Sequence, residues 1–121
     1  MPEFSHADYA RLLADTVDQI VSLSKNKGGE YAGDVDRLAN FRRNSVQLGL
    51  PMEVIWSIYY NKHHDSLMQF CQDIASGKDR PRTEPISGRV DDMITYLLLF
   101  KAMLVERGEL TLKPTLPDDY I

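Results

Sequence analysis

A single cysteine, Cys71, stands among the 121 residues. One thiol cannot close an internal disulfide, which excludes a stapled secreted scaffold and suits a reducing compartment. Positive charge is scarce as well. Lys and Arg number 14 against 18 Asp and Glu, a formal net charge of −4, so no basic field exists to hold a phosphate backbone. Nucleic acid is therefore not an expected partner. The longest apolar stretch, Met93 to Val105, is interrupted by Lys101 and falls short of the roughly 18 to 20 residues that cross a bilayer, so no membrane association is expected either. The opening Met-Pro-Glu-Phe-Ser-His lacks the basic start and apolar centre of a secretory signal, and the expected location is the cytoplasm. There is no Gly-x-Ser-x-Gly, no His-Glu-x-x-His, no P-loop and no dinucleotide fingerprint. One cysteine with three scattered histidines makes no structural zinc site.

What is there is an ordinary globular composition, 43% hydrophobic and 26% charged, with helical periodicity almost throughout. The first helix is expected over about Ser5–Lys25, opened by a Ser5/Asp8 capping pattern. Its inner side reads Tyr9, Leu12, Leu13, Thr16, Val17, Ile20 and Val21. Gly28-Gly29 ends it. A short helix follows, capped by Asp34, with Val35, Leu38, Phe41, Ser45 and Val46 inward and Gly49 as its stop. Pro51 opens a third helix that runs to about Ser76. Its stripe is Ile55, Tyr59, Leu67, Phe70 and Ile74, and the spacing turns Lys62, His63 and Ser66 inward beside it. A basic connection, Lys78 to Thr83, leads to a fourth helix over about Pro85–Arg107, with Ile86, Val90, Met93, Ile94, Leu97, Phe100 and Leu104 inward. The segment 108–121 holds two prolines and alternating leucines and reads as an extended tail of a single domain, 1–121. No strand pair sits beside a hairpin turn. The expected fold is all-α: a bundle of three long helices and one short one, completed by pairing between subunits.

The residues with chemistry to offer cluster on the third and fourth helices. Glu84 and Asp91 lie two turns apart, with Asp92 adjacent, and carboxylates so placed can share a hard cation such as Mg²⁺; solvated acids favouring the helix dipole are the plainer account. Arg89, Asp92 and Tyr96 follow one side of the helix, where Arg89 either joins a surface ion pair or holds a phosphate. An inward Lys62 needs an anionic partner, and His63 can donate a hydrogen bond or act as a base; a snorkelling lysine and a satisfied core histidine are the alternative. Asn40-Phe41-Arg42 offers an amide for a base edge, an aromatic ring and a cation, although Phe41 suits a core equally well. Lys25, Lys27, Glu30 and Tyr31 surround the Gly-Gly loop, for which a flexible connector is the plainer account. The acidic pairs Asp15/Asp18 and Glu106/Glu109 read as solvated.

The order of these motifs, Lys27 to Tyr31, then Asn40-Phe41-Arg42, Trp56 with Lys62-His63-x-x-Ser66, and Glu84-x-Ile86 leading to Arg89-x-x-Asp92-x-x-x-Tyr96, resembles a family. It is similar to phage-type, MazG-like members of the all-α NTP pyrophosphatase superfamily, close to the nucleotide-modification-associated domains and to the MazZ type. The likeness covers about residues 20–107. It implies a homodimer or homotetramer that uses Mg²⁺ or Mn²⁺ to convert a (deoxy)nucleoside triphosphate to the monophosphate and pyrophosphate, in phage nucleotide-pool or modified-DNA metabolism in the host cytoplasm. On that reading Glu30, Glu84, Asp91 and Asp92 hold metal, and His63, Glu84 and Asp92 are the catalytic set. Lys27, Tyr31, Asn40, Arg42, Lys62, Ser66, Arg89 and Tyr96 contact substrate. The third helix carries Lys62, His63 and Asp65 where the superfamily has Glu-x-x-Glu. The alternative that this departure opens is a nucleotide-sequestering protein without turnover; a third reading is an adaptor bundle with protein contacts alone.

Overall fold

A computed structural model describes residues 2–27 and 36–116, the side chains of 26 and 27 excepted. Four helices follow in order among the described residues: α1 (His6–Lys27), α2 (Ala39–Leu48), α3 (Met52–Ser76) and α4 (Ile86–Glu106). The all-α fold of three long helices and one short one is the expected one. No helix among the described residues is long and apolar enough to cross a membrane.

Local chemistry explains most boundaries. Ser5 and Asp8 form a reciprocal cap: the Ser5 N–H donates to Asp8 Oδ2 at 3.1 Å and the Asp8 N–H to Ser5 Oγ at 3.0 Å. Both bonds satisfy amides that a helix start otherwise strands. The start of α2 comes later than expected. Asp34 lies outside the described residues, and Asp36 organises the turn instead, accepting the Leu38 N–H on Oδ1 at 2.9 Å and the Ala39 N–H on its carbonyl at 3.2 Å. Gly49 and Gly77 end α2 and α3 at φ 67° and 69°, a region closed to most side chains. The chain reverses at both by bonding back into the last turn, as Lys78 N–H does to Asp73 O at 2.9 Å.

The core forms where α2, α3 and α4 meet, around Leu38, Phe41, Ile55, Trp56 and Met103. Trp56 fastens α3 to α4: its indole N–H donates to the Tyr96 carbonyl at 2.7 Å, and its ring stacks on Tyr60 and tilts against Phe100, at centroid distances of 4.8 and 4.7 Å. Apolar burial of this kind supplies the main driving force.

Several faces expected to be inward are open. Among the described side chains of α1 only Ile20 is a buried residue, while Tyr9, Leu12, Leu13 and Val17 are exposed. On α4 the row Val90, Ile94, Leu97 faces out beside the buried Met93 and Met103. On α3, Tyr59 and Ile74 are exposed, and so is Lys62. Periodicity identifies the apolar side of a helix, but it does not say whether a second element of the same chain covers it. Here α1 packs on α4 alone among the principal helix pairs, and α3 is covered by α2 and α4 along a different line. After Gly108 the described tail, to residue 116, has no helix or strand, with Leu110 half-buried and Leu112 and Leu116 exposed.

Candidate functional site

A half-open groove of about 1010 Å³ runs between α2, α3, α4 and residues 110–113. Four side chains singled out from the sequence meet on its wall: Asn40 from the first turn of α2, His63 from mid-α3, and Asp92 and Tyr96 from α4. Asp92 and Tyr96 are four residues apart and so share a face of α4. Aromatic surface is plentiful. The His63 ring lies 5.1 Å from that of Tyr96, and Phe41 meets Tyr59 edge-on at 6.0 Å. Asn40 is held in place by its neighbours, accepting from Arg43 Nη1 on Oδ1 at 3.2 Å and from Asn44 Nδ2 on its carbonyl at 2.9 Å. The Ser24 hydroxyl, also on the wall, is buried and has no partner among the described residues.

His63 Nδ1 sits 3.1 Å from Arg89 Nη1. A guanidinium only donates, so Nδ1 must accept, and the neutral imidazole then carries its proton on Nε2. In this arrangement His63 is a donor through Nε2. Taking up a proton at Nδ1 would cost the Arg89 bond and set two cations together. Arg89, three-quarters buried, also lies 3.8 Å from Glu84 Oε2.

Beyond Arg89 lies a second cavity of about 300 Å³, where Ser66 and Glu84 are found. Its anchor is a residue that sequence reasoning missed. Asp73 is 2% exposed, with Arg80 Nε at 2.8 Å from Oδ2, Arg80 Nη2 at 3.3 Å from Oδ1, and Gln69 Nε2 donating to Oδ1 at 3.0 Å. The Arg80 guanidinium, helped by Gln69, holds the Asp73 carboxyl below the usual carboxylate range against the opposing effect of burial. The signal lay in the sequence: an acid near the end of α3, seven residues before the first arginine of Arg80-Pro81-Arg82. Along the inward side of α3, Ser66, Leu67 and Phe70 are half-buried as expected; only its end departs, with Asp73 buried where Ile74, which is exposed, was expected.

Other expected residues lie apart from the groove. Arg42 is 44% exposed and clasps the chain instead, bonding Asp36 Oδ2 at 2.6 Å and Glu106. These two carboxylates, Glu106 first, raise its pKa further above the ordinary value for arginine. Glu106, expected to be merely solvated, is thus a tie between α4 and α2. Asp91 is half-buried and lines neither cavity. The Lys27 side chain, Glu30 and Tyr31 lie outside the described residues. Among the described residues no three His, Cys, Asp or Glu side chains gather as a cation site, since Glu84 and Asp92 open onto different cavities. No protein family, curated protein or solved structure matches this chain.

Proposed function

We propose that the protein is a metal-dependent nucleoside triphosphate pyrophosphohydrolase that converts a (deoxy)nucleoside triphosphate to the monophosphate and pyrophosphate, in phage nucleotide-pool or modified-DNA metabolism. The observation that carries the reading is the convergence of Asn40, His63, Asp92 and Tyr96 on one groove, with Arg89 bonded to the rear of His63. These residues come from three helices. The groove is large enough for a nucleoside and is mostly apolar with a few fixed polar groups, the usual make-up of a small-molecule site.

In this account Asn40 reads a base or sugar edge, and Tyr59 and Tyr96 supply aromatic surface. His63 donates from Nε2 to orient a phosphate oxygen or the attacking water. Arg89 binds phosphate and fixes the His63 tautomer. Mg²⁺ or Mn²⁺ remains the expected cofactor and would neutralise phosphate charge, with Asp92 as the acid on the groove wall; of the other expected acids, Glu84 opens onto the second cavity and Asp91 lines neither. The described acids do not by themselves compose a three-ligand set, so each role above belongs to the chain's own groups. Pairing of copies into a homodimer or homotetramer belongs to the same reading. It is supported by the uncovered rows on α1 and α4, where Tyr9 is 62% and Leu13 56% exposed.

A sequestering nucleotide binder is the second reading, favoured by the scattering of Glu84 and Asp92. One experiment separates the two. The purified protein is incubated with each ribo- and deoxynucleoside triphosphate with and without Mn²⁺, and hydrolysis is followed beside thermal shifts. Turnover that needs the metal supports the enzyme. A thermal shift without product moves the assignment to the binder, and silence in both refutes a nucleotide function.

A further inference from the structure

The small cavity beyond Arg89 has the opposite charge balance to the chain around it. Three arginines, Arg80, Arg82 and Arg89, line it against two acids, Asp73 and Glu84, a local balance of +1 in a protein of net charge −4. The buried acid does not use up this charge. Asp73 is met by two donors of Arg80 and one of Gln69, while Arg82 Nη2 stands off at 3.9 Å. Arg82 is positioned in another way: its guanidinium carbon lies 4.5 Å from the Phe70 ring centroid. Packing against an aromatic face holds the cation and leaves the N–H groups at its edge able to donate. Across the cavity, Arg89 is engaged by the His63 ring and only loosely by Glu84, itself 64% exposed. Ser66 and Thr83 add hydroxyls to the wall.

Two oriented guanidinium forks and two hydroxyls around about 300 Å³ suit a compact tetrahedral oxyanion. We propose that this cavity binds the phosphate chain of a small molecule, diphosphate in size, with Arg82 and Arg89 as its charged ligands and the Asp73–Arg80 pair as the anchor that fixes the 80–82 segment; the proposal rests on the pyrophosphohydrolase reading for the identity of the anion and on the cavity alone for its existence. Arg89 then links the two cavities: its far side meets His63 on the groove wall. A nucleotide seated in the groove would send its outer phosphates past Arg89 towards Arg82.

The test is calorimetric titration of the intact protein with inorganic pyrophosphate in low salt and chelator, so that no metal contributes. Arg82→Ala should weaken binding about tenfold or more, the usual scale for losing a charge-assisted hydrogen bond. Arg11→Ala removes an equal charge from an exposed site on α1 and should change it less than about twofold. Arg82→Lys keeps the charge but loses the planar fork; it should fall between wild type and Arg82→Ala, and it gives the readout if the alanine variant fails to fold. Equal affinity of wild type and both Arg82 variants, an equal loss in Arg11→Ala, or no binding by wild type would overturn the proposal. Pyrophosphate binding without nucleotide turnover would leave this site standing and sink the enzyme reading. Turnover with unchanged pyrophosphate binding in the Arg82 variants would do the reverse.

Discussion

Replacing Trp56 with phenylalanine should lower the melting temperature by about 8 °C. Two losses make up that figure. The indole N–H bond to the Tyr96 carbonyl, 2.7 Å long, contributes about 1 kcal/mol. The low end of the scale applies because that carbonyl is inside α4 and keeps its helical acceptor role. The smaller ring also gives up about 40 Å² of apolar burial, about 1 kcal/mol at ~25 cal/mol per Å². Against these, an unfolding entropy of about 2.1 cal/mol/K per residue over 121 residues is about 0.25 kcal/mol/K, so about 2 kcal/mol corresponds to about 8 °C. Thermal unfolding followed by far-ultraviolet circular dichroism measures it directly. A Trp56→Phe variant that melts within about 2 °C of wild type would refute the claim that this residue fastens α3 to α4.

Asp73 gives a pH test. Its folded carboxyl is held below the ordinary value, so its stabilisation is complete above about pH 4 and is lost as pH falls through the lowered folded value. The melting-temperature gap between wild type and Asp73→Asn should therefore close on acidification from pH 5 towards pH 2.5, and a gap that stays constant would contradict the assignment. Ser5→Ala removes one arm of the reciprocal cap on α1, at about 1 kcal/mol or about 4 °C by the same conversion, read by circular dichroism. For His63, glutamine can present a donor where Nε2 does, so His63→Gln should retain more kcat than His63→Ala. Equal kcat in His63→Gln and His63→Ala would contradict the donor role.

The helices were legible because capping boxes, prolines at their starts and glycines past the ends act within a few residues, although Pro51 and Pro85 sit at the caps, one residue before the expected first helical position. Ser5/Asp8 and Gly77 mark the structure where they mark the sequence. Trp56 stands in a sequence motif, but its hydrogen bond joins residues 40 apart, and no local pattern announces that. The end of the inward side of α3 departs from the expectation by one residue, with Asp73 buried and Ile74 exposed, because Ile74 is apolar and Asp73 is not. Hydropathy cannot foresee that an arginine seven residues later will fold back and make burial of the acid tolerable. Lys62 shares the spacing that turns His63 and Ser66 inward, yet its own side chain is exposed. In the candidate site, Asn40, His63, Asp92 and Tyr96 meet as a set, since each sits on a well-formed helix whose register the sequence dictates. The partners of Arg42 were hidden for the same reason as those of Asp73: Asp36 and Glu106 are brought to it by tertiary contact. The uncovered faces of α1 and α4 show the limit of periodicity, which marks an apolar stripe without naming what lies on it.

The products of one reaction test the pyrophosphohydrolase most directly. The pure protein, given Mn²⁺ and the nucleoside triphosphate that shifts its melting temperature most, should release monophosphate and pyrophosphate in equal amounts, resolved by ion-exchange chromatography, and none in chelator. Release of inorganic phosphate with the diphosphate, or no product from any nucleotide over a day, would contradict it.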